Sequence, residues 1–190
     1  MTIFEYLMVM VSIVLALALA QLLRGITEIV TNPNRYWIHT AWVAMMMLFV
    51  VQYWWAYWDF SAVSSWTLLR FVYVLLAPVL LFLSTYLLLP VYRPKDPDWQ
   101  VHFFSIRFWL FLTLIAASLV GTLGSWILLE ASLLHPYRVF QGMMLALLVV
   151  GLISKKPRVH GPLVIIYLSV FLISQIVIRM NIGALASTSP

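Results

Sequence analysis

The chain has 190 residues, 64% of them hydrophobic and 9% charged, with a formal net charge of +5 and a mean hydropathy of +1.02. A soluble domain carries roughly 25% charge, so these charges cannot coat a water-facing surface, and the chain is expected to be a single integral membrane domain. Cysteine is absent, which excludes disulfides, thiolate catalysis and iron–sulfur clusters; the basic residues sit in short loops, where membrane topology accounts for them without nucleic acid.

A spanning helix needs roughly 20 mostly apolar residues. Six such segments predict an all-α, polytopic transmembrane helix bundle. The first runs from about Ile3 to Val30 and ends at "TNPNR", with Pro33 as breaker. Ala18-Leu19-Ala20 looks like a signal-peptidase site, but the segment before it has no Lys or Arg and contains Glu5. A signal peptide wants a basic start, so the segment is kept as a helix. Gln21, Arg24 and Glu28 share one of its faces, and Glu5 and Ser12 point nearly opposite. The opening "FEYLMVMVSIVLALALAQLLRGI" resembles small bacterial membrane proteins, a resemblance that implies no activity. The expected location is the bacterial inner membrane.

The second segment runs from about Tyr36 to Asp59 and closes on "QYWWAYWDFSAVSSW". On a wheel of about 100° per residue, Gln52, Ala56 and Asp59 share one stripe, and Tyr53, Trp54, Trp55, Tyr57 and Trp58 cover the rest. Trp and Tyr gather at the membrane–water interface. The rings therefore read as an interfacial belt rather than a ligand box, and the stripe turns Asp59 inward.

The third segment, about Ser65 to Tyr92, carries Arg70, Tyr73, Ala77 and Ser84 along one face. Pro78 removes a backbone hydrogen bond and is expected to kink it, with room for a cavity beside Ser84 and Thr85. The link from the second segment is short, which makes the two antiparallel neighbours. Asp59 is thus expected within direct or one-water reach of Arg70 or of Arg179. The loop Pro90 to Gln100 holds Arg93, Lys95, Asp96 and Asp98.

The fourth segment, about Val101 to Glu130, contains "AASLVGTLGS". Ala117, Gly121 and Ser125 are spaced four apart, and such small residues let backbones approach. That face suits packing within the chain or a subunit contact. The fifth, about Pro136 to Ser154, opens with Arg138 and Gln141; the sixth, about Gly161 to Ile182, places Gln175 and Arg179 at i, i+4. Lys and Arg collect in the loops after the first, third and fifth segments and stay cytoplasmic. Six spans with both termini on the extracytoplasmic side follow.

The outer half then sets Glu5, Asp59 and Glu130 against Arg70, Arg138 and Arg179, with His135 and Asn181 at similar depth. Glu5, Glu130 and His135 sit at helix ends and read as interfacial; Asp59, Arg70 and Arg179 read as an internal polar site. The ligand or ion-pathway candidates are Asp59, Arg70, Arg179, Gln52, Tyr73, Gln175, Arg138 and Gln141. His39, His102 and His160 lie at helix starts and are expected to be solvated, so neither haem nor metal is predicted. No zinc-protease histidine pair, nucleophile elbow or phosphate loop is present. The expected function is a small channel or transporter for an ion, proton or small anion, in a homo-oligomer within the lipid bilayer. The alternatives are a non-catalytic subunit or sensor, and a lipid- or quinone-binding protein.

Overall fold

The computed structural model describes residues 2–91, 97–130 and 136–178, without the side chain of Glu28. Arg179, Asn181, His135, Arg93, Lys95 and Asp96 lie outside the described residues. The described chain is all-helical, with α1 (Ile3–Thr31), α2 (Trp37–Ala56), α3 (Leu68–Leu88), α4 (Trp99–Leu129), α5 (Tyr137–Ile153) and α6 (Pro157–Ile178). Five of these are long and apolar enough to cross a membrane; α5 is the shorter one, at 17 residues.

Local chemistry explains where the helices begin and end. Thr2 and Glu5 form a capping box: Thr2 N donates to Glu5 Oε2 at 2.8 Å, and Glu5 N donates to Thr2 Oγ1 at 3.2 Å. Glu5 thereby serves the helix start. The second segment does not stay α-helical to Asp59, because Tyr57–Ala62 tightens into a 3-10 turn. α3 starts at Leu68 rather than Ser65, since Thr67 is its N-cap and accepts from Arg70 N. It stops at Leu88, because Leu89 precedes Pro90, which disfavours helical backbone there. Asp98 caps α4 by accepting from Gln100 N and Val101 N at 2.9 and 3.0 Å, so α4 begins at Trp99. At its other end Glu130 adopts a left-handed conformation, φ 52°. α6 begins earlier than its apolar run, at Pro157, because proline suits the first helical position.

The helices form a ring in the spatial order α1, α3, α4, α5, α6, α2, with α2 also packed on α3. α1 buries a narrow stripe, Val11, Leu15, Ala18, Leu22 and Ile29, while Leu17 and Leu23 are more than half exposed. Its 3.6-residue spacing is that of an amphipathic helix, but the outer face is apolar too. The same holds at Leu69, Val139 and Ile176. A surface that apolar all round calls for lipid.

The two ends differ. The C-terminal ends of α2 and α4 and the N-terminal ends of α3 and α5 lie at one end, here the tyrosine end. The C-terminal ends of α1, α3 and α5 and the N-terminal ends of α2, α4 and α6 lie at the other, the histidine end. Trp42, Phe103 and Phe111 fill the bundle toward the histidine end with no exposed surface.

Candidate functional site

A cavity of about 120 Å³ lies inside the bundle. It runs from the helix midpoints, at Leu81 and Leu114, to Asp59 and Leu129 at the tyrosine end. A water needs roughly 10–15 Å³ of such space, so several fit.

The helices contribute to the wall in turn. α2 and its 3-10 extension supply Gln52, Tyr53, Ala56, Tyr57 and Asp59. The rings that the wheel grouped together are divided between two faces. Tyr57 is buried, whereas Trp54 and Trp58 are about half exposed, at 54% and 49%. The tryptophans thus face outward as a belt would, and the tyrosines share the inner side with the polar stripe. Asp59 is only 3% exposed.

α3 supplies Tyr73, Val74 and Ala77. Here proline has a specific consequence. Pro78 has no N–H, so Val74 O, four residues earlier, loses its helical partner. The Tyr57 hydroxyl donates to that oxygen. Ser84 and Thr85, where a cavity was expected, are instead fully buried and committed to hydrogen bonds: Ser84 Oγ shares one with Thr113 Oγ1 at 2.8 Å, and Thr85 Oγ1 donates to Phe82 O at 2.7 Å.

α4 turns its small residues to the cavity, with Ala117, Ser118, Gly121, Gly124 and Ser125 in the wall. The groove they leave is filled by tyrosine rings. A Cβ at Gly124 would stand 3.1 Å from Tyr73 Cε1, and one at Gly121 would stand 3.3 Å from the Tyr53 hydroxyl. Those tyrosines bond the same helix: Tyr53 donates to Ala117 O at 3.0 Å and Tyr73 to Val120 O at 2.7 Å. The small-residue face offered for a subunit contact is used inside the chain. α5 adds Tyr137 and Gln141, and α6 adds Tyr167 and Phe171.

Not every candidate reaches the wall. Arg70 donates through Nη1 to Ser65 O and Ser65 Oγ, at 2.7 and 2.6 Å, in the turn before α3. Arg138 Nη1 donates to Gln141 Oε1 at 2.9 Å and to Thr122 O at 3.5 Å. Gln175 donates to Ser174 Oγ at 3.2 Å. Gln52, Asp59, Tyr73 and Gln141 are brought together around the space; Arg70, Arg138 and Gln175 are outside its wall. No protein-family model, no curated protein and no solved structure matches the chain.

The histidine end holds polar residues whose role could not be read from sequence. His39 and His160, expected to be solvated, are fully buried. His39 Nε2 meets Leu88 O at 3.0 Å, and His102 Nε2 lies 3.1 Å from Leu87 O and 3.2 Å from Leu88 O. Gln21 donates to Leu89 O. These three cap the C-terminus of α3. The C-terminus of α5 is treated alike: Arg107, also buried, donates to Gly151 O at 2.9 Å and to Leu152 O, and His160 Nε2 meets Ser154 O at 2.9 Å. A carbonyl can only accept, so each of these Nε2 atoms carries a proton. Helix C-termini leave carbonyls unbonded and partly negative, and buried donors satisfy both needs. His39 stacks on Trp99 with ring centres 4.6 Å apart. Among the described residues no group of three His, Asp or Glu could hold a metal ion.

Proposed function

We propose that the chain is a small membrane transporter or channel whose solute enters the cavity at the tyrosine end. One observation carries the reading: a space for several waters, lined by apolar helices, has a buried carboxylate in its wall. An ionisable group at membrane depth is costly and usually serves an ion or solute path.

Six spans complete the topology. α5, at 17 residues, reaches about 25 Å, against a hydrocarbon core of roughly 30 Å. Bases in the loops at the histidine end support placing that end in the cytoplasm and the tyrosine end outside the inner membrane. A chain this small has little room for a private path, which supports a homo-oligomer. The packed histidine end favours a second reading, in which a non-catalytic subunit or sensor binds its ligand without moving it.

The absence of native cysteine makes a direct test simple. Single cysteines at Ala56 and Gly121 are exposed to a membrane-impermeant thiol reagent in proteoliposomes, and sodium, potassium, chloride and tetramethylammonium fluxes are measured. Labelling at both positions together with a flux that labelling stops is the expected result. Labelling without flux selects the sensor reading. No labelling from either side overturns both.

A further inference from the structure

Three of the five tyrosines in the cavity wall are positioned in a way that limits what they can bind. A phenol has one proton to donate. Tyr53, Tyr57 and Tyr73 commit theirs to Ala117 O, Val74 O and Val120 O. These side chains therefore offer the cavity ring surface more than hydroxyl donors. Phe49, Phe60 and Phe171 add rings with no polar atom. Among the described residues of the wall, Asp59 is the one charged side chain. Arg70 gives its Nη1 to Ser65, and Arg138 gives its Nη1 to Gln141 and Thr122.

An anion would need donors, and those on Gln52, Gln141 and Ser118 are neutral, whereas the one charged side chain of the wall, Asp59, is acidic. A bare metal cation would need a shell of oxygens to replace its water, and the wall sets one carboxylate, Asp59, among mostly apolar and aromatic side chains. A carboxylate among aromatic faces suits a different cation. The ring quadrupole attracts positive charge, most strongly where water is excluded. Apolar neighbours suit alkyl groups on that charge. The cavity, about 120 Å³, has room for several water-sized groups.

The geometry points to a small organic ammonium ion, a quaternary or substituted amine, as the ligand of this cavity, with its charge set against Asp59 and its alkyl groups against the tyrosine and phenylalanine rings. A carboxylate has two oxygens and roughly four acceptor sites, so Asp59 can keep a protein partner and still face the ion. The inference rests on reading the cavity as a solute site, and it names the chemical class of that solute.

The test uses the full chain purified in detergent, with tetramethylammonium and choline as probes and the thermal melt as readout. Both are expected to raise the melting temperature saturably. The uncharged carbon isostere of choline, 3,3-dimethyl-1-butanol, is expected to bind about tenfold more weakly or worse, because the charge-assisted contact is missing. Sodium acetate at equal ionic strength should have no saturable effect. Asp59→Asn should weaken tetramethylammonium binding about tenfold, and Tyr73→Leu about threefold through the loss of one ring. Equal binding of the isostere, saturable binding of acetate in place of the cations, or wild-type binding in both variants would overturn the assignment. Should Asp59→Asn fail to fold, the charged and uncharged pair on the unaltered protein decides. Uptake into proteoliposomes separates the two levels. Ammonium binding without uptake removes transport and keeps the ligand class; uptake of another solute without ammonium binding does the reverse.

Discussion

The two ends of this bundle both bury polar side chains, yet they use them differently. At the histidine end His39, His102, His160, Arg107 and Gln21 turn to the carbonyls that end α3 and α5. Aromatic rings fill what remains, among them Trp99, Phe103 and Phe111. At the tyrosine end Gln52, Asp59 and Gln141 border open space. In a membrane every backbone group must be satisfied inside the protein. Polar residues at membrane depth therefore have two employments, closing the backbone's own hydrogen bonds or facing a solute. Burial does not distinguish them; the presence of space does.

The largest effect should come from breaking the closed end. Arg107→Leu leaves Gly151 O and Leu152 O without their donor in a buried setting, and each such orphan costs about 1–3 kcal/mol. A loss of about 3 kcal/mol or more in detergent unfolding is expected. A variant as stable as the parent would show that water reaches this end.

A matched pair of glycine substitutions sharpens the contrast. A Cβ at Gly151 would come within 2.5 Å of the Phe111 ring, where the helices leave no gap. Gly151→Leu should cost about 3 kcal/mol by overpacking. Gly121 borders the cavity, and a Cβ there would meet only the end of the Tyr53 side chain, at 3.3 Å, so Gly121→Leu must shift that hydroxyl but has space beyond it. It should cost under about 1.5 kcal/mol while blocking the cavity to reagents. Equal costs in unfolding measurements would mean the cavity collapses in the native protein.

Asp59→Asn and Glu130→Gln compare two acids of the same end. Asp59 is buried, and its loss should lower stability by about 1–3 kcal/mol. Glu130 is exposed at the end of α4, so its variant should melt with the parent. Equal small losses would reduce the tyrosine end to a solvated rim and remove the main support for a solute site.

The smallest effect is the most diagnostic of local design. Tyr57→Phe removes the donor to Val74 O and should cost about 1–2 kcal/mol. In a Pro78→Ala background the helix recovers its own N–H for that carbonyl, so the same change should cost less. A double-mutant cycle by thermal melting reads this coupling; additive losses would mean that Tyr57 acts through packing alone.

Much of this architecture is legible in the sequence, for identifiable reasons. Hydropathy and turn residues mark the helices, because lipid demands long apolar runs and Pro90 and Pro33 break them. The wheel groups Gln52, Ala56 and Asp59, and all three line the cavity. It also groups Tyr53 and Tyr57 with the tryptophans, since an aromatic ring reads alike at an interface and in a wall. Position in the chain suggested solvated histidines, because a residue at a helix start looks peripheral until the neighbouring helix is known to end beside it. Asp59 was expected within reach of Arg70 or Arg179; Arg70 lies in the first turn of α3, where it bonds Ser65, and Arg179 lies outside the described residues.

What the sequence determined by itself is the membrane class, the helical content and the set of small and polar faces, since each depends on residues within a few turns of one another. Only the tertiary structure decided which polar residues close the backbone and which border a cavity. The reason is distance along the chain: Gln21 meets Leu89 across 68 residues, and Tyr53 meets Ala117 across 64. A carbonyl left open by a proline or a helix end is visible in the sequence, but the donor that closes it comes from whichever helix packs alongside.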